Sequence, residues 1–165
     1  LQLDGIWWLV TPKNPLKISR PASYGERIHN CKSITKTHPI KIEEIEKKIK
    51  STYSFQTIDF LQNHYENINF FWLMGADNLI NFHNWQKWRE IFSSIPIVIF
   101  RRHGYNIKAL KSITLKTFNN FKISNKHLNK QKFLTHPAWI WIDNKEIKIS
   151  STEIRKQRKL LRGKN

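Results

Sequence analysis

The residues best suited to chemistry lie near the end of the chain, in Ile149-Ser150-Ser151-Thr152-Glu153-Ile154-Arg155. Ser151 and Thr152 stand where a helix over Ser151 to Leu160 is expected to begin. Their hydroxyls can satisfy free backbone N–H groups there, and that end of a helix favours anions. Arg155 in the first turn opposes the helix dipole at a cost of about 0.3–1 kcal/mol, which a bound anion reverses. The same residues also suit an ordinary cap, with Glu153 meeting the dipole and Arg155 solvated. A second group is Gly75-Ala76-Asp77 at the end of an apolar run. Glycine admits a ligand close to the backbone, and a carboxylate accepts hydroxyl protons. Asp77 equally suits a helix N-cap. Trp85 and Trp88 share helical spacing, which fits core packing as well as a platform for a flat ligand. Lys17, in a loop bounded by Pro12 and Pro15, and Arg102, in Arg101-Arg102-His103-Gly104, are cations that a ligand or plain solvent can occupy.

These residues need elements to position them. Ile6 to Val10 reads as a strand buried on both faces, Ala22 to Ile34 as a helix, and His38 to Ile42 as a short strand. Tyr53 to Tyr65 has helical periodicity in Phe55, Ile58, Leu61 and Tyr65. Asn69 to Ala76 is the clearest buried strand. Leu79 to Phe92 reads as helix in one or two pieces, Ile95 to Phe100 as strand and Ile107 to Phe118 as helix. Residues 119 to 137 read as irregular, Trp139 to Ile142 as strand, and Glu146 to Ile149 as a further candidate strand. Strands alternating with helices predict an α/β fold, a Rossmann-like, mostly parallel sheet with helices on both faces. Such sheets bind ligands at the carboxyl ends of their strands. Thr11 to Lys17, Gly75 to Asp77, Arg101 to Gly104 and Ser150 to Thr152 are therefore expected to converge on one edge.

The bulk properties agree with one folded domain over residues 1–165. The chain has 165 residues, 39% hydrophobic and 13% aromatic, far from the composition of disordered chains. Lys and Arg number 29 against 12 Asp and Glu, a formal charge of +17, which attracts polyanions or phosphorylated small molecules. Cys31 is the only cysteine. That excludes an internal disulfide, leaves no cysteine cluster for a metal, and suits a cytoplasmic setting. No apolar run approaches the roughly 20 residues of a membrane helix, and no signal peptide is evident.

ISSTEIR resembles the phosphate-binding ISSTxIR motif of the nicotinate mononucleotide adenylyltransferase family, within the HxGH nucleotidyltransferases. Asp4 to Lys17 (DGIWWLVTPKNPLK) resembles its WxxPxxxPxK strand and loop, and Thr52 to Thr57 (TYSFQT) its SYTxxT element. Gly75-Ala76-Asp77-Asn78-Leu79 with Trp85 resembles GADxL…W, and Arg102-His103-Gly104 resembles RPG with His for Pro. The resemblance runs from about residue 4 to 158. It implies that Ser151, Thr152, Arg155 and Lys17 hold ATP phosphates, and that Gly75, Asp77 and Arg102 surround the adenosine. It implies that Trp85 stacks on the nicotinate ring near Ser54 and Tyr53, a cation–π arrangement of about 0.5–2 kcal/mol, while Trp88 stays in the core. ATP and nicotinate mononucleotide would be the substrates, Mg²⁺ arriving with ATP and with few protein ligands. Pantetheine-phosphate adenylyltransferases share the superfamily and are the enzymatic alternative. A basic nucleic-acid-binding module is the alternative from another class, although no nucleic-acid motif is present.

The family's opening G-x-F-x-P-x-H-x-G-H segment has no counterpart. His29, His38, His64, His83, His103, His127 and His136 never occur as HxGH, so no catalytic residue is assigned, and the domain is expected to lack its first strand. Adenylyl transfer needs no protein nucleophile; it depends on positioning and charge stabilisation. Each lost donor at the developing charge costs about 10²–10³ in rate. The chain as given is expected to turn over slowly. Deamido-NAD formation should rise by at least that factor when a family-type N-terminal segment is fused to it; full activity of the bare chain refutes the expectation.

Overall fold

The computed structural model describes residues 3–13, 22–124 and 135–146. Lys17, Ser150, Ser151, Thr152 and Arg155, with the helix expected over Ser151 to Leu160 and the candidate strand beyond Glu146, lie outside the described residues.

The strands form where short apolar runs predict them. β3 (Trp72–Gly75), β4 (Ile97–Phe100) and β6 (Trp139–Ile142) lie side by side, with the two-residue β5 (Lys122–Ile123) beyond β6. All three pairings in this sheet are parallel. Side chains alternate between two faces, as the pleat requires. Met74, Ile97, Ile99 and Trp139 enter the main core, whereas Val98 and Ile140 face the other side with Leu73, Phe100 and Ile142. α3 (Ser54–His64), α4 (Ala76–Ile80), α5 (Trp88–Ser94), α6 (Asn106–Leu110) and α7 (Ile113–Thr117) all contribute to the main core. Its centre is aromatic: Phe92 stacks on Phe118 at 4.2 Å, and the Trp139 indole N–H donates to the Phe118 carbonyl at 2.8 Å.

β1 (Ile6–Leu9) and β2 (Ile40–Glu43) form a separate two-stranded parallel sheet. Among the described residues, β1 and β3 each keep one unpaired edge. Trp7 joins the two halves through edge contacts with Tyr65 at 5.0 Å and Phe70 at 5.4 Å. The expected burial of β1 on both faces is not met: Ile6 is 38% and Trp8 40% exposed. An outermost strand of a two-stranded sheet has too few neighbours to cover both faces.

α1 (Tyr24–Thr35) starts at a reciprocal cap. The Ser23 hydroxyl accepts from the Glu26 N–H at 3.3 Å, and the Ser23 N–H donates to the Glu26 carboxylate at 2.9 Å. From its first turn, Arg27 donates to the carbonyls of Thr11 (2.5 Å), Pro12 (2.7 Å) and Ala22 (3.2 Å). This one guanidinium therefore closes the base of the loop between β1 and α1. Leu79 to Phe92 forms in pieces, as the sequence allowed: α4 ends at Ile80, a 3₁₀ turn spans Phe82–Asn84, and Lys87 takes a left-handed φ of 56° before α5. One helical expectation is corrected. Ile107 to Phe118 divides at Lys111–Ser112, where the Ser112 hydroxyl caps α7 by accepting from the Leu115 N–H at 3.3 Å. Within the stretch expected to be irregular, a 3₁₀ turn at Asn119–Phe121 leads into β5. Among the described residues no helix is long and apolar enough to cross a membrane.

α2 (Ile45–Lys48) buries a charge. Glu46 is 6% exposed, and its Oε2 has no hydrogen-bond partner. Burial raises its pKa above the ordinary carboxyl range, and the Thr11 hydroxyl only partly opposes this. A carboxyl whose folded pKa is raised contributes stability while protonated and loses it as pH rises through that folded value. Glu46→Gln should therefore raise the unfolding free energy at neutral pH, and the gain should vanish as pH falls to the ordinary carboxyl range. Denaturant titrations at both pH values check this; a variant less stable at neutral pH contradicts it.

Candidate active site at the carboxyl edge of the sheet

The register of the ladder sets up the site. Gly75 lies opposite Phe100, and Phe100 opposite Ile142, so three parallel strands end in one row. Asp77, Arg102 and Asn144 each stand two residues beyond that row. The carboxyl-edge rule thus brings together two of the four predicted places, Gly75 to Asp77 and Arg101 to Gly104. Residues Asp143 to Glu146, leading toward the third, join them. Thr11 to Lys13 follows β1 in the other sheet, held by Arg27; the rest of that loop lies outside the described residues.

Asp77 does not cap α4. The cap position is Gly75, and Asp77 sits in the first turn with its carboxylate turned toward Arg102. One Arg102 nitrogen, Nη1, lies 3.2 Å from Oδ1 and 3.1 Å from Oδ2 of Asp77. The Arg102 side chain is 41% exposed and that of Asp77 27%, so the pair faces solvent and contributes at most about 1 kcal/mol. Gly75 has an ordinary φ of −77°. Its lack of a side chain matters for another reason: a Cβ there would stand 2.6 Å from Asp77 Oδ1. The carboxylate folds over the glycine.

Arg102 opens a tight turn. The Tyr105 N–H donates to the Arg102 carbonyl at 3.0 Å, and Gly104 takes φ +79° with His103 on the usual negative side. These are the features of a type II turn, which needs Gly at its third position and favours Pro at its second. Two asparagines fix the strand end that enters it. Asn144 Oδ1 accepts from the Arg101 N–H at 2.8 Å, and Asn106 Oδ1 accepts from the Arg102 N–H at 2.8 Å. Glu146 then ties the segment after β6 to this turn. It accepts from Asn106 Nδ2 at 2.8 Å and pairs with Arg101 Nη2 at 2.8 Å, while His103 Nδ1 lies 3.6 Å away. Arg101 also pairs with Asp143, which together with Glu146 raises its pKa further. Asn106, Asn144 and Glu146 were not singled out from the sequence. Asn144 and Glu146 act across about 40 residues of chain, and Asn106, four residues from Arg102, forms no recognisable motif with it.

The second cluster lies around Trp85. The expectation that Trp85 and Trp88 share a helical face is corrected: Trp85 follows the 3₁₀ turn in an extended conformation, and Trp88 begins α5. Their environments differ accordingly. Trp88 is buried against Phe118, whereas Trp85 is half-buried, its ring 4.8 Å from Phe82. Tyr53 and Ser54 stand at the start of α3; Tyr53 is exposed, 6.1 Å from Phe55. Lys87, two residues beyond Trp85, lies over the Phe55 ring at 5.0 Å. Phe55 and Trp85 both pack on the main core. The start of α3 and the Trp85–Lys87 bend therefore adjoin.

The family model described as cytidylyltransferase-like matches residues 1–157. A probable nicotinate-nucleotide adenylyltransferase of Ruegeria sp. is 39% identical over 155 residues, covering 94% of this chain and 82% of the relative. One from Brucella suis is 37% identical over 157 residues, covering 94% and 81%. Among solved structures, a Plasmodium falciparum nicotinic acid mononucleotide adenylyltransferase complexed with NaAD superposes with a TM-score of 0.62 at 19% identity, covering 92% of this chain and 68% of that one. That likeness establishes the fold, the parallel α/β architecture of these nucleotidyltransferases. With relatives this similar over this much of its length, the chain belongs to the nicotinate-nucleotide adenylyltransferase family.

Proposed function

We propose that the chain joins ATP to nicotinate mononucleotide. The mononucleotide's phosphate oxygen attacks the α-phosphorus of ATP, the bond to the β-phosphate breaks, and pyrophosphate leaves with deamido-NAD as product. ATP enters as its Mg²⁺ complex. The observation that carries this reading is the Asp77–Arg102 pair, folded over a bare Gly75 at the carboxyl edge of a parallel sheet.

The adenosine end of ATP fits this place. Asp77 supplies acceptors for sugar hydroxyls, Gly75 keeps the floor low, and the exposed Arg102 guanidinium offers donors and a flat face for a base. The local charge agrees. Around the strand ends the carboxylates of Asp77, Asp143 and Glu146 are balanced in number by Arg101, Arg102 and Lys145. In a chain of formal charge +17, an edge without net charge suits the uncharged part of the nucleotide better than its triphosphate. The phosphates fall to Lys17, Ser151, Thr152 and Arg155, on the family resemblance alone. Trp85, with Tyr53 and Ser54, is assigned to the pyridine ring and its carboxylate. A half-buried indole held by Phe82 keeps a π face available at little entropic cost.

Calorimetric titration of the chain with ATP and with nicotinate mononucleotide, alongside deamido-NAD formation, tests the reading. Trp85→Ala should weaken nicotinate mononucleotide by about five- to thirtyfold, the range of a lost cation–π contact of 1–2 kcal/mol, with ATP little changed. Binding or turnover of phosphopantetheine in preference to the mononucleotide would refute it. Gly75→Ala separates the other half of the site. Its Cβ displaces the Asp77 carboxylate, the movable end of a side chain, so stability should change by less than about 1 kcal/mol. ATP affinity should fall about tenfold as the Asp77–Arg102 geometry is lost. Equal ATP affinity in Gly75→Ala and the unsubstituted chain removes Asp77 from the ligand.

A further inference from the structure

We propose that Asn106, locked by Glu146, is a positioning residue that sets Arg102 for the adenosine end of ATP; this rests on the assignment of Arg102 above. Asn106 uses both ends of its amide. Oδ1 accepts from the Arg102 N–H at 2.8 Å, and Nδ2 donates to Glu146 Oε1 at 2.8 Å. Chemistry fixes this orientation: turned over, the amide would place a donor against an N–H and an acceptor against a carboxylate. The Arg102 N–H lies past the end of the β3–β4 and β4–β6 ladders. Asn106 supplies the acceptor that the sheet no longer provides.

The position within the turn explains why such a device is useful. In a type II turn, proline at the second position fixes φ and narrows the conformations of the turn. Here that residue is His103, which leaves φ free. The turn is instead held from outside, by Asn106 on its backbone and by Glu146 on Asn106, Arg101 and His103. Arg102 reaches Asp77 through one nitrogen in a half-exposed pair, too weak to orient its own backbone. Control therefore runs from the backbone outward: Glu146 orients Asn106, Asn106 holds the Arg102 N–H, and the side chain leaves from a fixed point beside Asp77.

A swap of donor and acceptor tests this. Asn106→Asp keeps an acceptor for the Arg102 N–H but sets two carboxylates against each other. Adding Glu146→Gln restores a donor–acceptor pair with its direction reversed. Calorimetry on the full chain should show ATP binding weakened about tenfold in Asn106→Asp and in Asn106→Ala. Binding should return to within about threefold of the original in the Asn106→Asp/Glu146→Gln double variant, but not in Asn106→Ala/Glu146→Gln. Nicotinate mononucleotide affinity should stay within about twofold throughout, a separation that a general loss of structure would not give. Unchanged ATP affinity in Asn106→Ala, or no recovery in the swap, overturns the proposal while leaving the assigned function standing. Absence of ATP binding by the unsubstituted chain overturns both. If Asn106→Ala does not fold, the comparison of Asn106→Asp with the swap decides alone.

Discussion

The equal register of β3, β4 and β6 is the constraint on which the rest depends. Parallel strands fed by helical crossovers leave all their carboxyl ends on one side. Because Gly75, Phe100 and Ile142 terminate the ladder in the same row, the residues that follow cannot avoid one another. The register is in turn fixed by burial. Ile97, Val98, Ile99 and Ile140 are wholly inaccessible, and a slip by one residue would exchange the two faces of a strand whose faces meet different cores. The stability of the site's geometry is thus borrowed from apolar packing several residues away.

At the edge itself the interactions change character. Where the ladder stops, backbone N–H groups lose their partners, and side chains take over: Asn144 for Arg101 and Asn106 for Arg102. These neutral bonds from uncharged amides set positions. The ion pairs around them are half-exposed and individually weak. Their shared members are what matter, since Arg101 meets two carboxylates and Glu146 meets three side chains. A ligand entering beside Asp77 can therefore displace one contact of Arg102 without releasing the strand end that carries it.

Much of this was legible in the sequence, for reasons that differ by element. The runs at Trp72, Ile97 and Trp139 were legible as strands because they are short and rich in β-branched and aromatic residues. β1 carried a similar run, but its burial was misjudged: pattern records a side chain's preference, not how many neighbours the sheet provides. The stretch from Leu79 was legible as one or two helical pieces but not where it divides, because apolar spacing continues past Asn81 and Lys87, where the backbone turns. Gly75, Asp77, Arg102 and Trp85 were singled out through their motifs, and the fold brings the first three together. That Trp88 stays in the core followed from the resemblance and is met, but the means were not legible, because they depend on a 3₁₀ turn and on Phe118, some thirty residues further along the chain. Asn106 and Glu146 are ordinary polar residues until the fold brings them together.

The turn at Arg102 shows how a tight turn can form without the proline that favours it. A proline at the second turn position restricts the chain before folding, and its effect acts largely through the unfolded state. Histidine at position 103 gives up that restriction, and with it the backbone's own guarantee of the turn. What replaces it is partly conditional: Asn106 reaches the Arg102 N–H from four residues away, but Glu146 can lock Asn106 only once β4 and β6 have paired in register. The lock on Asn106 is therefore a consequence of the sheet. The approach of Arg102 to Asp77 thus depends on correct folding of the core, because a sheet out of register would take Glu146 from Asn106 and Asp77 from Arg102.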